Sequence, residues 1–493
     1  MKTHRLTQEN LGLLSKQITC PTYRRDTIST GIVHIGVGGF HRSHEAYYLN
    51  QLHNKYSALD WGICGVGIRE ADRKMHQVLQ RQNGLYTLIV QHPDGKVESE
   101  VIGSLVESLL AVDTPDVVID RMASPDTKIV SLTITEGGYN FDTEGNFNFD
   151  NADVLHDLAN PSAPKTVFGY LTAALRKRKA EILPPFTLLS CDNIPHNGDV
   201  ARKMLLAFAN RQDPKLALWI AMAMGFPNSM VDRITPVTSQ ADINYLRSKH
   251  QVRDEHPVVC EPYIQWVVED KFTCGRPLLE KVGVQFVADV TPYEKMKLRL
   301  LNAGHSVLGI LGAIHGHKTI NDCMADPVFA KFMRSFMDLE ATPTLSKVEG
   351  INLDKYKDSL EQRFANPNIK DSVSRICAES SAKLPVFLLP TLEENLQSGG
   401  SIKHAALVIA AWCYYHDRER DEQNAPLEII DFSQKALSKA AKQTAAKPLS
   451  FLSLSETFGP VIDNARFTKA YTEALEEVYG SKGIRSIMED YIT

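Results

Sequence analysis

The sequence predicts two domains: a doubly wound α/β domain with extensions over residues 1–290, and a mainly α-helical domain over residues 291–493. The chain of 493 residues is too long for one ordinary hydrophobic core. Its first half alternates short apolar runs with helical patterns, which is typical of a parallel sheet covered by helices on both faces. After about residue 290 the helical patterns continue and strand patterns become scarce.

The elements follow from these patterns. The predicted strands of the first half are Gly31–Ile35, Trp61–Ile68, Tyr86–Val90, Ile129–Ile134 and Phe186–Leu189. The helical patterns there are Ala46–His53, Asp72–Gln80, Val167–Lys179 and Val200–Asn210. Those of the second half are Leu298–His315, Pro327–Leu339, Lys403–His416 and Thr468–Tyr479. The boundary is predicted near Asp289–Pro292, where a proline precedes a long helical pattern.

Composition excludes several classes of protein. The chain is 43% hydrophobic and 23% charged, with a formal net charge of -5, so it lacks the basic character of a nucleic-acid-binding protein. The N-terminus lacks the apolar core of a signal peptide, and no run approaches the ~18 apolar residues of a membrane span. We therefore expect a cytoplasmic protein without nucleic-acid or membrane partners. The sequence does not distinguish a monomer from a dimer.

The eight cysteines are scattered along the chain, and none forms a C-x-x-C pair. This spacing favours reduced, mostly buried thiols. It argues against a closed, cysteine-rich zinc site, and no metal is expected.

A glycine cluster follows the first predicted strand, in HIGVGGFHRSH. Glycines at Gly36, Gly38 and Gly39 would allow a tight turn and a close approach of the backbone to a pyrophosphate. The pattern departs from G-x-G-x-x-G, because His41 stands where the third glycine is expected. A plain tight turn is the alternative. The position after the first strand favours a dinucleotide site that includes Phe40.

An acidic residue after the second strand should bind the ribose of the cofactor. That strand ends near Ile68, and the candidates are Glu70 and Asp72. Either carboxylate would repel a 2′-phosphate, so NAD is preferred over NADP, although basic residues stand beside both acids. The alternative is a solvated, charged helix start.

Polar residues interrupt an otherwise apolar helix over Met296–Leu311. A helix that is apolar all round is usually buried. At about 100° per residue, Lys297, Asn302 and His305 lie within one arc of about 140°. They are either a buried salt bridge with satisfied core residues or a catalytic face.

The catalytic interpretation fits the oxidation of an alcohol. A buried lysine whose pKa falls from ~10.4 toward roughly 7–8 can remove the hydroxyl proton. Asn and His can donate hydrogen bonds to the oxygen without a metal.

A second polar segment, Ser190–Gly198, follows the fifth strand, at the edge of the sheet where ligands bind in open α/β folds. Asn193 is therefore a candidate second donor. Asn197 is also explained as a helix N-cap, and Asp192 as a turn residue.

At these residues the sequence resembles the long-chain mannitol dehydrogenase family, the polyol-specific long-chain dehydrogenases. The resemblance covers essentially the whole chain. The motifs that carry it are GVGGFHR at 36–42, TITEGGY at 133–139, SCDNIPHNG at 190–198, FPNSMVDRITP at 226–236, CEPYIQWVVEDKF at 260–272 and KLRLLNAGHS at 297–306.

The resemblance implies a Rossmann-type first domain that binds NAD, a second domain that binds substrate and carries catalytic residues, and independence of zinc. It implies that Lys297 is the general acid/base, that Asn193 and Asn302 form the oxyanion hole, and that His305 belongs to the same site. The substrate-binding residues that it implies are Val231, Asp232, Arg233, Arg375 and Lys383. It places Glu136 near the proton path of the lysine, and Glu294 stands one helical turn from that lysine. Without the resemblance, Asp232 and Arg233 would be interpreted as an exposed ion pair.

The implied reaction is the reversible oxidation of D-mannitol to D-fructose by NAD. GVGGFHR, TEGGY and IPHNG are closer to the mannitol 2-dehydrogenase branch than to the sugar-acid reductases of the family. A fructuronate or tagaturonate reductase and an arabinitol dehydrogenase are the alternatives within the family. An NAD-binding sensor without catalysis is the alternative outside it.

Overall fold

The computed structural model describes residues 3–142 and 144–492 of the chain. It divides into two compact units, and the break between them falls after Thr291. The first unit contains the strands His4–Arg5 (β1), Thr30–Ile35 (β2), Gly62–Gly67 (β3), Tyr86–Gln91 (β4), Val97–Ile102 (β5), Leu105–Leu110 (β6), Ile129–Leu132 (β7), Thr187–Ser190 (β8), Ser229–Asp232 (β9), Val252–Arg253 (β10), Val258–Cys260 (β11), Gln265–Glu269 (β12) and Gln285–Val287 (β13).

A five-stranded parallel sheet forms the centre of the first unit, in the order β6-β3-β2-β7-β8. Counted along the chain, this is the 3-2-1-4-5 order of a Rossmann fold. Side chains of the central strand alternate between two hydrophobic clusters: Val33 and Ile35 pack on one face, and Ile32 packs on the other. The predicted doubly wound fold is confirmed.

Two details of the predicted sheet are wrong. The run Tyr86–Val90 is a strand, but β4 pairs with β5 and β11 in a separate sheet. The third strand of the central sheet is β6, which the sequence analysis missed. Its middle residues include Glu107 and Ser108 and are half-buried, so β6 lacks the continuous apolar run of a central strand.

The remaining strands form small sheets. β9, β12 and β13 pair in the order β13-β12-β9, and β1 pairs with β10. The helices of the first unit are Leu11–Leu14 (α1), Gly39–Ser43 (α2), Glu45–Tyr56 (α3), Arg73–Arg81 (α4), Pro115–Ala123 (α5), Thr135–Gly138 (α6), Ala152–Ala159 (α7), Val167–Ala180 (α8), Asn197–Gln212 (α9), Pro214–Ala223 (α10) and Gln240–Tyr245 (α11).

The second unit is helical, and the regular strands of the described chain all precede it. Its helices are Thr291–Lys297 (α12), Ala303–His315 (α13), Ile320–Ala325 (α14), Pro327–Phe336 (α15), Leu353–Phe364 (α16), Val373–Cys377 (α17), Ser380–Phe387 (α18), Leu389–Ser398 (α19), Lys403–Arg418 (α20), Gln434–Lys442 (α21), Ser455–Phe458 (α22), Ala465–Val478 (α23) and Ile484–Ile492 (α24). The predicted mainly helical C-terminal domain is confirmed.

The predicted helix Leu298–His315 is interrupted. A π-helical turn, Leu298–Asn302, joins α12 to α13, and the Ala303 N–H donates to the carbonyl of Leu298, five residues earlier. A hydrophobicity pattern cannot distinguish this turn from α-helix, because one inserted residue changes the backbone bonds without changing which residues are apolar.

The structure bears on membrane insertion and on the state of the cysteines. Within the described residues, no helix combines the length and the apolar character that crossing a membrane requires. All eight cysteines are free thiols in the structure.

Candidate active site

The glycine turn after β2 has a backbone conformation that requires glycine at its first position. Gly36 has φ +98°, and a Cβ on it would lie 2.1 Å from the carbonyl oxygen of Thr133. A Cβ on Gly38 or Gly39 would meet no atom closer than 3.6 Å. The surface over these two glycines is therefore open, as a bound pyrophosphate requires.

The turn lies where the strand order of the sheet reverses. The next segment in space, after β7, is tied to it directly: the Thr133 N–H donates to Ile35 O at 3.0 Å, and the Thr133 hydroxyl donates to Gly36 O at 2.6 Å. Ligands of open α/β sheets bind at this reversal point, outside the carboxyl ends of the strands.

A cavity of about 160 Å³ opens beside the turn. It is lined by Gly36, Val37, Gly38, Gly67, Arg69, Asp72, Met75, His76, Leu79, Ser108 and Thr133. The Asp72 carboxylate accepts the backbone N–H groups of Ile68 and Arg69 at 3.0 and 2.9 Å, so it is held at the end of β3. These residues fit the adenosine half of a dinucleotide.

The second predicted acid lies elsewhere. Glu70 is exposed, and its oxygens accept from Arg73 at 2.5 and 2.9 Å. Arg73 also binds Asp113 through two hydrogen bonds. Arg73 holds the pKa of Glu70 below its usual range, and Glu70 does not line the cavity.

The glycine turn rests on a buried polar network that the sequence analysis missed. His34 Nδ1 lies 3.0 Å from a carboxylate oxygen of Glu45, and His34 Nε2 lies 2.9 Å from the Thr133 hydroxyl. The Ser131 hydroxyl also donates to Glu45, and the His41 ring stacks on His34 at 3.5 Å. Ser131 and Thr133 lie about 100 residues from His34, so no local pattern indicates the network. The motif HIGVGGFHRSHEA does contain both His34 and Glu45.

The segment after β7 is held by the segment after β8. The Asp192 carboxylate accepts the backbone N–H of Thr135 at 2.8 Å, the N–H of Ile134 at 3.2 Å and the hydroxyl of Tyr139 at 2.8 Å. Burial raises the pKa of Asp192, and these hydrogen bonds oppose the shift. Asp192 thus binds the segment after β7 over a long sequence distance, in addition to the local turn role expected for it.

The predicted N-cap role of Asn197 is wrong. His196 precedes α9 in a left-handed conformation, and Asn197 is the first helical residue. The Asn197 amide group donates to Asp192 O at 3.0 Å and to Ser229 O at 2.8 Å, and its oxygen accepts from the Ser229 N–H. Because Asp192 follows β8 and Ser229 begins β9, the Asn197 side chain links these two strands.

Two predicted site residues are exposed on these segments. Asn193 follows Asp192 directly, and Glu136 lies in α6 directly after Thr135. Both follow carboxyl ends of neighbouring strands, so a ligand above that edge of the sheet can reach them.

The predicted substrate segment on β9 is buried. Val231, Asp232 and Arg233 are 4%, 4% and 6% exposed, so the exposed-ion-pair alternative for Asp232 and Arg233 is wrong. The Arg233 guanidinium donates to the carbonyls of Ser43 and Glu261 at 2.6 and 3.1 Å and lies over a tyrosine ring.

In the second unit, Lys297 ends α12 and is 7% exposed. Lys297 and Asn302 are five residues apart, and the π-helical turn lies between α12 and α13 at this point. Residues five apart lie on nearly the same side of a π turn. The two side chains are therefore closer in angle than the 140° expected for a straight α-helix. Glu294, also buried, lies one turn before Lys297.

His305 is buried on α13 and stacks on Phe364 with 4.0 Å between ring centroids. Burial, with the positive charges of Arg375 and Lys383, lowers the pKa of His305 well below its usual value, so the ring is neutral. His305 Nε2 and Asn302 Oδ1 are buried and have no hydrogen-bond partner among residues 3–142 and 144–492. An unpartnered buried polar atom is unfavourable, so both atoms are available to hydrogen-bond a ligand.

Both basic residues implied by the resemblance act on His305 through their positive charge. Arg375 is exposed and forms a two-bond pair with Asp371 at 2.6 and 2.7 Å. Lys383 is half-buried and donates to the carbonyl of Ile376 at 3.1 Å. Burial and Arg375 lower the pKa of Lys383.

The chain matches the family model "Mannitol dehydrogenase Rossmann domain" over residues 30–281 and the model "Mannitol dehydrogenase C-terminal domain" over residues 289–479. Mannitol 2-dehydrogenase of Pyricularia oryzae is 42% identical over 484 residues, covering 97% of this chain and 96% of that protein. Mannitol dehydrogenase 2 of Saccharomyces cerevisiae is 41% identical over 488 residues, covering 98% and 97%.

Two solved structures share the fold over the whole chain. Mannitol 2-dehydrogenase of Pseudomonas fluorescens, in a ternary complex with NAD and D-mannitol, has a TM-score of 0.90 at 44% identity and covers 99% of each chain. A substrate-free D-sorbitol dehydrogenase has a TM-score of 0.90 at 37% identity, covering 98% of this chain and 100% of that one. The chain belongs to the mannitol dehydrogenase family.

Proposed function

We propose that this protein is an NAD-dependent, metal-independent polyol dehydrogenase that oxidises D-mannitol to D-fructose reversibly. The observation that carries the proposal is the polar set on one buried helix of the second unit: Lys297, Asn302 and a neutral His305. Similarity to a mannitol 2-dehydrogenase that binds NAD and D-mannitol supports the choice of substrate.

Residues 1–290 are proposed to bind NAD. Gly36, Gly38, Gly39 and Phe40 would lie along the pyrophosphate, with Asp72 at the ribose. Glu70 would contribute little, because its charge is balanced by Arg73. When bound, NAD accepts the hydride that leaves the carbinol carbon.

Residues 291–493 are proposed to supply the proton acceptor, and both parts of the chain are proposed to supply donors to the reacting oxygen and substrate contacts. Lys297 takes the hydroxyl proton as the carbonyl forms. Asn302 and Asn193 donate hydrogen bonds to the reacting oxygen, which gains negative charge in the transition state. The neutral His305 donates from Nε2 to this oxygen or to a neighbouring hydroxyl. Because the ring carries no positive charge, it does not repel a protonated Lys297.

The remaining predicted residues would hold the polyol and exchange the proton. Glu136 and Glu294 are proposed to pass the proton between Lys297 and solvent. The substrate-binding residues in this proposal are Val231, Asp232, Arg233, Arg375 and Lys383.

A panel of substrates with both cofactors tests the proposal. We expect the highest kcat/KM for D-mannitol with NAD and for D-fructose with NADH, above D-sorbitol, arabinitol and fructuronate. A clear preference for fructuronate would make the protein a sugar-acid reductase, and a preference for arabinitol or sorbitol would move it to another polyol. NAD binding without turnover of any of these compounds would indicate a sensor.

The cofactor preference has a matched pair of variants. Asp72→Asn removes the charge in the wall of the cavity and keeps an oxygen that can accept a backbone N–H. It should raise kcat/KM for NADPH on the order of tenfold, since a charge–charge repulsion of about 1–1.5 kcal/mol is lost. Glu70→Gln should change the NADPH value little. The opposite ranking would assign the cofactor preference to Glu70.

A further inference from the structure

A second cluster of ligand-type side chains lies in the helical unit, away from the proposed catalytic residues. We propose that His315, His317 and Asp326 bind a divalent transition-metal cation. One donor atom from each residue lies within 4.8 Å of the other two. Bonds of about 2.0–2.2 Å keep two donors of one metal at most about 4.4 Å apart, so small side-chain rotations are enough to close the site.

The end of α13 places the two histidines together. His315 is the last residue of the helix, and Gly316 follows with φ +100°, which reverses the chain. The His317 ring therefore returns beside His315, with 4.9 Å between centroids, and both rings pack on Phe329. The carbonyl end of a helix carries partial negative charge, which favours a cation at this point.

A hydrogen bond orients His315 for ligation, and His317 has a ring nitrogen without a partner in the described residues. His315 Nδ1 lies 3.1 Å from the Glu422 carboxylate, whose other oxygen accepts the Ile484 N–H at 2.5 Å. This is the carboxylate–histidine arrangement that holds a metal-binding ring with its other nitrogen directed at the metal. His317 Nε2 is a buried atom without a hydrogen-bond partner in the described part of the chain.

Asp326 supplies the third donor, and Arg485 competes with a metal cation for its carboxylate. Its oxygens accept from the Val328 N–H at 2.8 Å and from Arg485 Nε at 2.7 Å. Arg485 also pairs with Glu489 at 2.6 Å, so it retains a partner if it leaves Asp326. A cation at the cluster would take over the charge balance that Arg485 now provides.

The ligand set selects the class of cation. Two imidazoles and one carboxylate suit Zn²⁺, Ni²⁺ or Co²⁺, whereas Ca²⁺ and Mg²⁺ prefer oxygen donors. The cluster is ten residues from His305 on α13, or about 15 Å along the helix axis. Its occupancy is therefore separate from the proton chemistry at Lys297.

The other histidine–carboxylate cluster of the described chain is a weaker candidate. His34, His41 and Glu45 also lie within 4.8 Å of one another. Both nitrogens of His34 already contact protein oxygens, Ser131 and Thr133 among them, and the cluster is fully buried under the glycine turn.

Isothermal titration of the tag-free, full-length protein with Zn²⁺ tests the proposal. Wild type should bind one equivalent, reversed by EDTA, and Zn²⁺ should raise its Tm. His317→Gln should lose this binding. Glu422→Gln should weaken it about 10- to 100-fold, the usual effect of removing a partner of a metal-bound histidine. His92→Gln, in the first unit, is the control and should bind as wild type does.

Arg485→Gln gives an effect of the opposite sign. It should tighten Zn²⁺ binding, because it removes the competing cation and keeps all three donors. This arm remains informative if His317→Gln fails to fold, which its Tm in EDTA would reveal. Absence of Zn²⁺ binding by wild type, equal binding by His317→Gln in its folded form, or weaker binding by Arg485→Gln would each overturn the proposal.

Discussion

The carboxylate of Asp192 accepts the backbone N–H of Thr135, 57 residues earlier in the chain, at a distance of 2.8 Å. Thr135 has φ +57°, a left-handed conformation that is unfavourable for a β-branched residue. The bond joins the ends of β7 and β8 at the edge of the sheet where Asn193 and Glu136 stand. A strained backbone is thus held next to two of the proposed site residues.

Replacing Asp192 should loosen this edge of the first unit. An asparagine presents N–H groups where the carboxylate accepts two backbone N–H groups, so Asp192→Asn should cost about 1–3 kcal/mol of unfolding free energy. We expect a lower Tm in calorimetry and a lower kcat. Adding Thr135→Gly should recover part of both, because glycine adopts positive φ without strain. Asp199→Asn on the exposed start of α9 is the control, and a loss there as large as in Asp192→Asn would argue against a specific brace.

Removing the proposed base should slow turnover strongly without affecting cofactor binding. Lys297→Ala should lower kcat by roughly 10²–10⁴-fold, the usual contribution of a general base, while NADH binding measured by fluorescence stays unchanged. Added primary amines should restore part of the activity. Lys295→Ala is the matched control on the same helix, because Lys295 pairs with Glu394 at 3.0 Å instead. Comparable activities of the two variants would place the base elsewhere.

The two ends of the glycine turn should respond differently to one added methyl group. Gly36→Ala places a Cβ against Thr133 at a positive φ, so it should lower Tm as well as NAD affinity. Gly38→Ala meets open space within the protein and should leave Tm unchanged while it weakens NAD binding. Titration calorimetry with NADH and thermal unfolding would separate the effects. Normal NADH binding by Gly38→Ala would exclude this turn from the cofactor site.

Acid should destabilise the protein through its buried histidines. Burial lowers the pKa of His416 to about 4, whereas an unfolded histidine has a pKa of about 6.5. The unfolded state therefore binds a proton that the folded state does not, and stability falls as the pH drops from about 6.5 to about 4. The slope per histidine is at most about 1.4 kcal/mol per pH unit.

His416→Phe tests this origin of acid sensitivity. Neither ring nitrogen of His416 has a hydrogen-bond partner among the described residues, so phenylalanine loses no bond. Its stability relative to wild type, from urea unfolding, should grow as the pH falls below about 6.5. Cys413→Ala, one turn earlier on α20, should shift stability equally at each pH in this window, because burial raises the pKa of that thiol. Parallel curves for wild type and His416→Phe would exclude His416 as a source.

Local pattern was sufficient for much of the fold. Short apolar runs identified β2, β3, β7 and β8, because strands buried on both faces are apolar along their length. The edge strand β6 was not predicted, since its half-buried residues mix charged and apolar side chains. The strand β4 was recognised but assigned to the wrong sheet, because strand partners depend on chain segments far away in sequence.

The sequence by itself determined the division of the chain into an α/β part and a helical part, the position of the glycine turn, and the polar set Lys297, Asn302 and His305 in an apolar helical segment. Each depends on spacing within one segment, which side-chain periodicity encodes. The structure decided that Asp72 rather than Glu70 lines the cavity, and that Asn302 ends a π turn that begins directly after Lys297. It also decided that Asp192 braces Thr135. Asp192 and Thr135 become neighbours only when the chain folds. The π turn and the position of Asp72 depend on which local backbone hydrogen bonds form, and side-chain periodicity does not encode that choice.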